Sequence, residues 1–87
     1  MHIEILTPES VIFSGEADLI RLPGTKGSFE ILKNHAPLIS TLEAGTIKVV
    51  PSGGETRSFR IKRGMVECID NQVYILVTPD LTEPVGS

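Results

Sequence analysis

The segment Thr56–Pro79, "TRSFRIKRGMVECIDNQVYILVTP", decides the fold class because it alternates on both sides of a turn. Ser58, Arg60 and Lys62 fall opposite Phe59 and Ile61, the two-residue period of a half-buried strand. In "GMVECI" (64–69), Val66 and Cys68 share one face. "DNQ" (70–72) supplies the polar residues that reverse a chain, and "VYILVTP" (73–79) returns as the second arm of a hairpin. The run "ILVTP" is apolar at successive positions, so it is expected to be covered on both faces.

The same pattern extends toward the N-terminus. "HIEIL" (2–6) alternates, with Ile3 and Ile5 on one face, and "TPES" (7–10) punctuates it. "VIFSGEADLIRL" (11–22) is expected to form a short strand, a bend at Ser14 and Gly15, and a second strand carrying Ile20 and Leu22. "APLISTL" (36–42) and "TIKVV" (46–50) read as strands separated by "EAG", with Gly45 suited to a left-handed backbone. "PSGGE" (51–55) is a hairpin turn in which Gly53 and Gly54 are free to take positive φ. No window sustains apolar residues at helical spacing. The expectation is an all-β fold: a small two-sheet β-sandwich of short, mainly antiparallel strands over residues 1–79. Residues 80–87 are expected to form a loose C-terminal tail with no helical domain.

With 8 basic against 11 acidic residues and a net charge of −3, the 87-residue chain offers no electrostatic footprint for nucleic acid. Cys68 is the single cysteine, so no intramolecular disulfide forms, and two histidines beside it cannot build a structural zinc site. The start "MHIEIL" lacks a positive n-region, and no apolar run approaches the roughly 20 residues that span a bilayer. Direct membrane insertion is therefore not expected. A chain this short has a thin stability margin, which a permanent partner would widen.

Catalytic constellations are weak. Ser28 and Ser40 lie near His35 and Glu30 in sequence, but the spacing matches no nucleophile elbow. The carboxylate pairs Glu4 and Glu9, and Glu16 and Asp18, read as solvated faces. "GTKG" (24–27) has the spacing of a nucleic-acid-clamping Gly-x-x-Gly loop, yet that loop joins two helices and this one lies between strands. It is expected to be a tight turn that needs both glycines. His35 reads first as a structural hydrogen-bonder, and Cys68 as a buried, inert thiol. No metal or cofactor site is expected. From the residues alone, the function is binding or scaffolding.

"LPGTKGSFEILKNHAPLISTLEAGTIKV" (22–49) goes further, because it resembles the ε subunit family of rotary F-type ATP synthases. In that pattern a "PG-x-x-G" turn leads into a strand, then "GHAPL", a Thr-containing strand, a Gly and a strand near "x-I-x-V". The order "TPE", "VIFSGEA" and "GMVE…NQVYILV" also agrees, so the resemblance covers residues 2 to 79. It implies a two-sheet sandwich and a non-catalytic stalk subunit that couples the γ subunit and catalytic head to the membrane proteolipid ring. It implies a γ interface at His35, Ala36, Pro37, Leu38 and Ser40, and a ring-facing turn at Gly24, Lys26, Gly27, Ser28 and Glu30. The implied location is peripheral, on the cytoplasmic side of a bacterial inner membrane or its organellar equivalent.

Two departures from the pattern stand out. Longer family members continue into a C-terminal helical hairpin that inhibits hydrolysis and in some cases binds ATP. Here "TPDLTEPVGS" occupies the place where that hairpin would begin, so neither property is expected. The family's "EGE" and "PGH" become Lys26-Gly27-Ser28 and Lys33-Asn34-His35. A lasting γ contact further requires one outer face of the sandwich to be apolar. The competing expectation, a module for carbohydrate or peptide, requires a groove with exposed aromatics drawn from Phe13, Phe29, Phe59 and Tyr74.

Overall fold

The computed structural model describes residues 1–80. The expected loose tail therefore lies, apart from Asp80, outside the described residues. Seven strands follow in order: β1 (His2–Leu6), β2 (Val11–Gly24), β3 (Gly27–Leu32), β4 (Leu38–Leu42), β5 (Gly45–Pro51), β6 (Arg57–Ile69) and β7 (Gln72–Pro79). All pairings are antiparallel except that of β1 with β7.

Two long strands make the sandwich. The first part of β2 pairs with β1 and its second part with β3 and β5. Likewise β6 pairs first with β5 and then with β4, with β7 along its other edge. One layer thus holds β1, β7, β4 and parts of β2 and β6, and the other holds β3, β5 and their remainders. The two expected sheets are joined into one hydrogen-bonded network through these shared strands.

A register shift in each long strand allows the change of layer. One lies between Ala17 and Leu19, the other between Ile61 and Arg63. An extra residue bends a strand and reverses which side faces inward. Accordingly Ala17 is buried before the first shift and Ile20 and Leu22 after it, while Ile61 gives way to Val66 and Cys68. The expected bend at Ser14 and Gly15 is corrected by the structure: β2 runs unbroken there, because Ser14 and Gly15 pair with Glu4 and Ile3 of β1.

Ile3, Ile5, Val66, Cys68, Val73, Ile75 and Val77 meet Ile20, Leu22, Ile31, Ile47, Val49 and Ile61 in a single core, each at most 3% exposed. No polar or charged side chain is buried among those described, and the buried Met1 ammonium donates to the Ala17 carbonyl at 3.2 Å with Glu16 at 3.6 Å. Phe13 and Phe59 meet edge to face at 6.0 Å between centroids, with the Arg57 guanidinium over both rings. The β6–β7 hairpin turns on Asp70 (φ 49°) and Asn71 (φ 60°), the paired left-handed residues that suit strand twist. Two glycines differ from expectation. Only Gly53 of the "PSGGE" pair has positive φ, and Gly45 is small for space, since a Cβ there would lie 2.8 Å from Pro23.

Candidate functional site

The two outer faces of the sandwich are unlike. On the β1–β7–β6–β4 layer, alternation turns Leu6, Leu76 and Met65 outward, and register sets them side by side. Leu6 pairs with Val11 on one side and Leu76 on the other, Leu76 pairs with Met65, and Met65 with Thr41. At about 4.8 Å per strand, the row from Val11 to Met65 is roughly 14 Å wide. The next row reads Glu4, Tyr74, Glu67, Ile39, and beyond it His2 is followed by Gln72 and Ile69. Ile39 is 70% exposed and Leu76 54%.

The opposite face is mixed: Leu32, Leu19 and Val50 form an outward apolar row across β3, β2 and β5, and a polar row runs beside it. Glu30, Arg21, Lys48 and Ser58 form one row across β3, β2, β5 and β6, and Thr46 lies beside Arg60. Folding needs only the inward half of each alternation to be apolar. The apolar residues on the outward half of one layer are therefore surplus to the fold, and such a patch marks an interaction surface.

Lys33–Pro37 forms the exposed loop that leads into β4. Asn34 takes φ 65°, a left-handed conformation that glycine or asparagine adopts readily, so it stands where the family pattern has Gly. Its backbone N–H donates to Asn71 Oδ1 at 2.6 Å, and Asn71 Nδ2 donates back to Asn34 Oδ1 at 2.9 Å. This reciprocal pair fastens the loop to the β6–β7 turn. His35 Nδ1 donates to the Ala36 carbonyl at 2.6 Å, in keeping with a hydrogen-bonding histidine. Ala36 and Pro37 are exposed, Leu38 is half-buried against the core, and Ser40 Oγ donates to the Thr41 carbonyl.

The "GTKG" turn needs both glycines, for different reasons. Gly27 has φ 121°, and a Cβ on buried Gly24 would lie 2.7 Å from the Gly27 carbonyl and 2.8 Å from the Phe29 ring. Lys26 and Ser28 are exposed, and Glu30 stands outward opposite Arg21. Thr25 N donates to the Thr41 carbonyl, which brings this turn to the end of β4. A groove of about 410 Å³ there is lined by Lys26, Gly27 and Ser40 together. His35, Ala36 and Pro37 lie at the other end of β4, so Ser40, grouped with them in the sequence, lies beside the Lys26 turn instead. Sequence reasoning missed Leu6, Val11, Met65, Glu67, Ile69, Tyr74 and Leu76 as site residues.

His2 is clamped between carboxylates: Nε2 lies 2.9 Å from Glu4 and Nδ1 lies 3.4 Å from Glu16. The hydrogen bond to Glu4 does most to raise its pKa above the usual histidine value; partial desolvation opposes this, and the Glu16 contact adds to the rise. A raised folded-state pKa stabilises most below the unfolded value of about 6.5, and that contribution fades as pH climbs through the folded value. Urea unfolding is therefore expected to show stability declining as pH rises from about 6.5 through the raised folded value, by no more than ~1 kcal/mol from this source. His2→Gln should remove that share of the decline. At the register shift of β2, Asp18 is held below the usual carboxylate range, first by Lys33 Nζ at 3.1 Å and then by Ser52 Oγ at 2.9 Å. Cys68 is 2% exposed, and burial pushes its thiol pKa up, which matches the expected inert thiol.

Among the described residues no group of three or more His, Cys, Asp or Glu could hold a metal ion, and no helix is long and apolar enough to cross a membrane. A two-layer sandwich that gathers most of its exposed large apolar residues on one outer face presents a candidate protein-interaction surface. The chain belongs to the ATP synthase delta/epsilon chain β-sandwich family, whose family model matches residues 1–79. It is similar to an ATP synthase epsilon chain of Sulfurimonas denitrificans, 42% identical over 77 residues, covering 88% of this chain and 59% of that one. The epsilon chain of Campylobacter fetus is 39% identical over 77 residues, covering 88% and 60%. That of Chlorobium limicola is 38% identical over 80 residues, covering 92% and 90%. The chain thus spans about three fifths of the first two relatives and most of the third. In fold it resembles a chain of the Tetrahymena thermophila mitochondrial ATP synthase central stalk and c-ring, with a TM-score of 0.77 at 21% identity, covering all of this chain and 71% of that one.

Proposed function

We propose that the chain is a non-catalytic rotor subunit of an F-type ATP synthase, coupling γ and the catalytic head to the proteolipid ring. Residues 1–79 serve as a rigid coupling piece, whose strand-to-strand hydrogen-bond ladders run continuously from one layer to the other through β2 and β6 and resist shear. The outer face of β1, β7, β6 and β4 packs on γ, and the loop His35, Ala36, Pro37 extends it, since Pro37 and Leu38 line one groove with Ile39 and Ile69. The turn with Lys26, Gly27, Ser28 and Glu30 faces the ring. The location is peripheral, on the cytoplasmic side of a bacterial inner membrane or the equivalent organellar membrane.

One observation carries this reading: the apolar row Val11, Leu6, Leu76, Met65 on an outer face, in a chain of this family. The carbohydrate or peptide reading is less well supported, because Phe13, Phe29 and Phe59 pack against the core and only Tyr74 is an exposed aromatic. Calorimetric titration into purified γ tests the proposal, and tight one-to-one binding is expected. No heat at roughly 50 μM, weaker than a lasting interface of standard size provides, would overturn it.

A further inference from the structure

We infer that the partner covering this outer face sets a cation, and by shape an arginine, against the carboxylate of Glu67. The inference rests on the γ reading above and supplies the chemistry of its contact. Glu67 stands in the middle of the apolar face: Met65 and Ile69 flank it along β6, Ile39 lies across on β4, and Tyr74 lies across on β7. It lines two of the shallow grooves of this face, one of about 450 Å³ with Pro37 and Ile39, the other of about 230 Å³ with Leu6 and Leu76.

Nothing among the described residues neutralises it. Glu4, the other acid in its row, is held by His2, but Glu67 has neither ion pair nor hydrogen bond. The cations of this face are committed or distant. His2 lies between Glu4 and Glu16, and Arg63 is four residues away along the extended strand, roughly 13 Å.

In the free domain the carboxylate is hydrated and costs nothing. Covering the face with an apolar partner would strip that water and leave a charge without a counter-charge, one of the costliest arrangements in an interface. A guanidinium meets both carboxylate oxygens with parallel N–H donors and can lie flat on the adjacent Tyr74 ring, which a lysine ammonium does less well. The apolar surround then excludes water and strengthens the pair.

The sign of a substitution decides the matter. Glu67→Gln keeps size and hydrogen-bonding capacity but removes the charge, and Glu67→Leu matches the surrounding surface. With a facing cation, Glu67→Gln is expected to weaken calorimetric binding to γ by roughly 30-fold or more, and Glu67→Leu further, because each strands the partner's charge. Without one, either variant binds γ equally or more tightly, and the inference is overturned while the γ reading stands. Failure of the unaltered chain to bind would overturn both. Because Glu67 is exposed, thermal unfolding of the free variants should match the parent, so that lost binding is not lost folding.

Discussion

Replacing Leu76 by glutamate is expected to abolish useful association with γ, raising Kd by about 100-fold or more, while leaving the free domain folded. Leu76 lies between Leu6 and Met65 in the outward row of three adjacent strands. Once the face is covered, a new carboxylate there would be desolvated between Leu6 and Met65, with only the diagonal Arg63 near it. In the free domain the same side chain is more than half exposed and the strand pairing runs through its backbone, so the unfolding midpoint should move little. Lys48→Glu makes a larger charge change on the opposite outer face and should leave γ affinity nearly intact. Titration of both variants into γ, with thermal unfolding of each, separates the faces. Equal losses would mean that the apolar row is not the interface.

That row was half legible in the sequence. The alternation that turns Val66 and Cys68 inward necessarily turns Met65, Glu67 and Ile69 outward, and the apolar run "ILVTP" already pointed to cover on both faces. What alternation cannot supply is which strands are neighbours. Leu6 joins Leu76 only through the parallel β1–β7 pairing, between segments at opposite ends of the chain. Ile39 joins the patch only through β4 on β6. Glu67 had no signal of its own, since an outward glutamate in a strand ordinarily faces water, and its interest comes from neighbours brought there by non-local register.

The misread elements share a cause. Ser14-Gly15 is a turn signal by local propensity, yet β1 supplies pairing through it and the chain stays extended. The shifts that change layer, near Asp18 and Lys62, carry no cluster of turn residues; their trace is the buried series changing from odd to even positions, from Ala17 to Ile20 and from Ile61 to Val66. Glycine was over-read as conformational freedom at Gly45, where closeness to Pro23 is what demands it. Conversely the left-handed position in the β3–β4 connection is filled by Asn34, whose amide also reaches Asn71. The "KNH" departure from the family's "PGH" thus keeps the backbone shape and adds a tether.

The second large effect belongs to the core, at Ile75. This side chain is fully buried on β7, with Ile5 beside it in the parallel pairing and Val66 in the antiparallel one. Both neighbours are fixed by strands on either side, so the site has little freedom to collapse around a smaller residue. Ile75→Ala removes the transfer energy of the lost carbons and leaves part of a cavity, a combined cost of about 2–5 kcal/mol. A domain of this length has a total stability of about 4–13 kcal/mol at the usual 0.05–0.15 kcal/mol per residue. The substitution therefore removes a large fraction of the whole, and the expected drop in Tm is on the order of 15 °C. Ile75→Val, losing one methyl, should cost only about 0.5–1.5 kcal/mol and serves as the graded control. Denaturant unfolding of both variants would measure the difference. A loss below about 1 kcal/mol for Ile75→Ala would mean that the layers do not close tightly around β7. If the full loss appears and γ binds the folded sandwich as proposed, added γ should raise the apparent stability of Ile75→Ala with its concentration. The same partner that needs the outer face of β7 would then be stabilising the inner one.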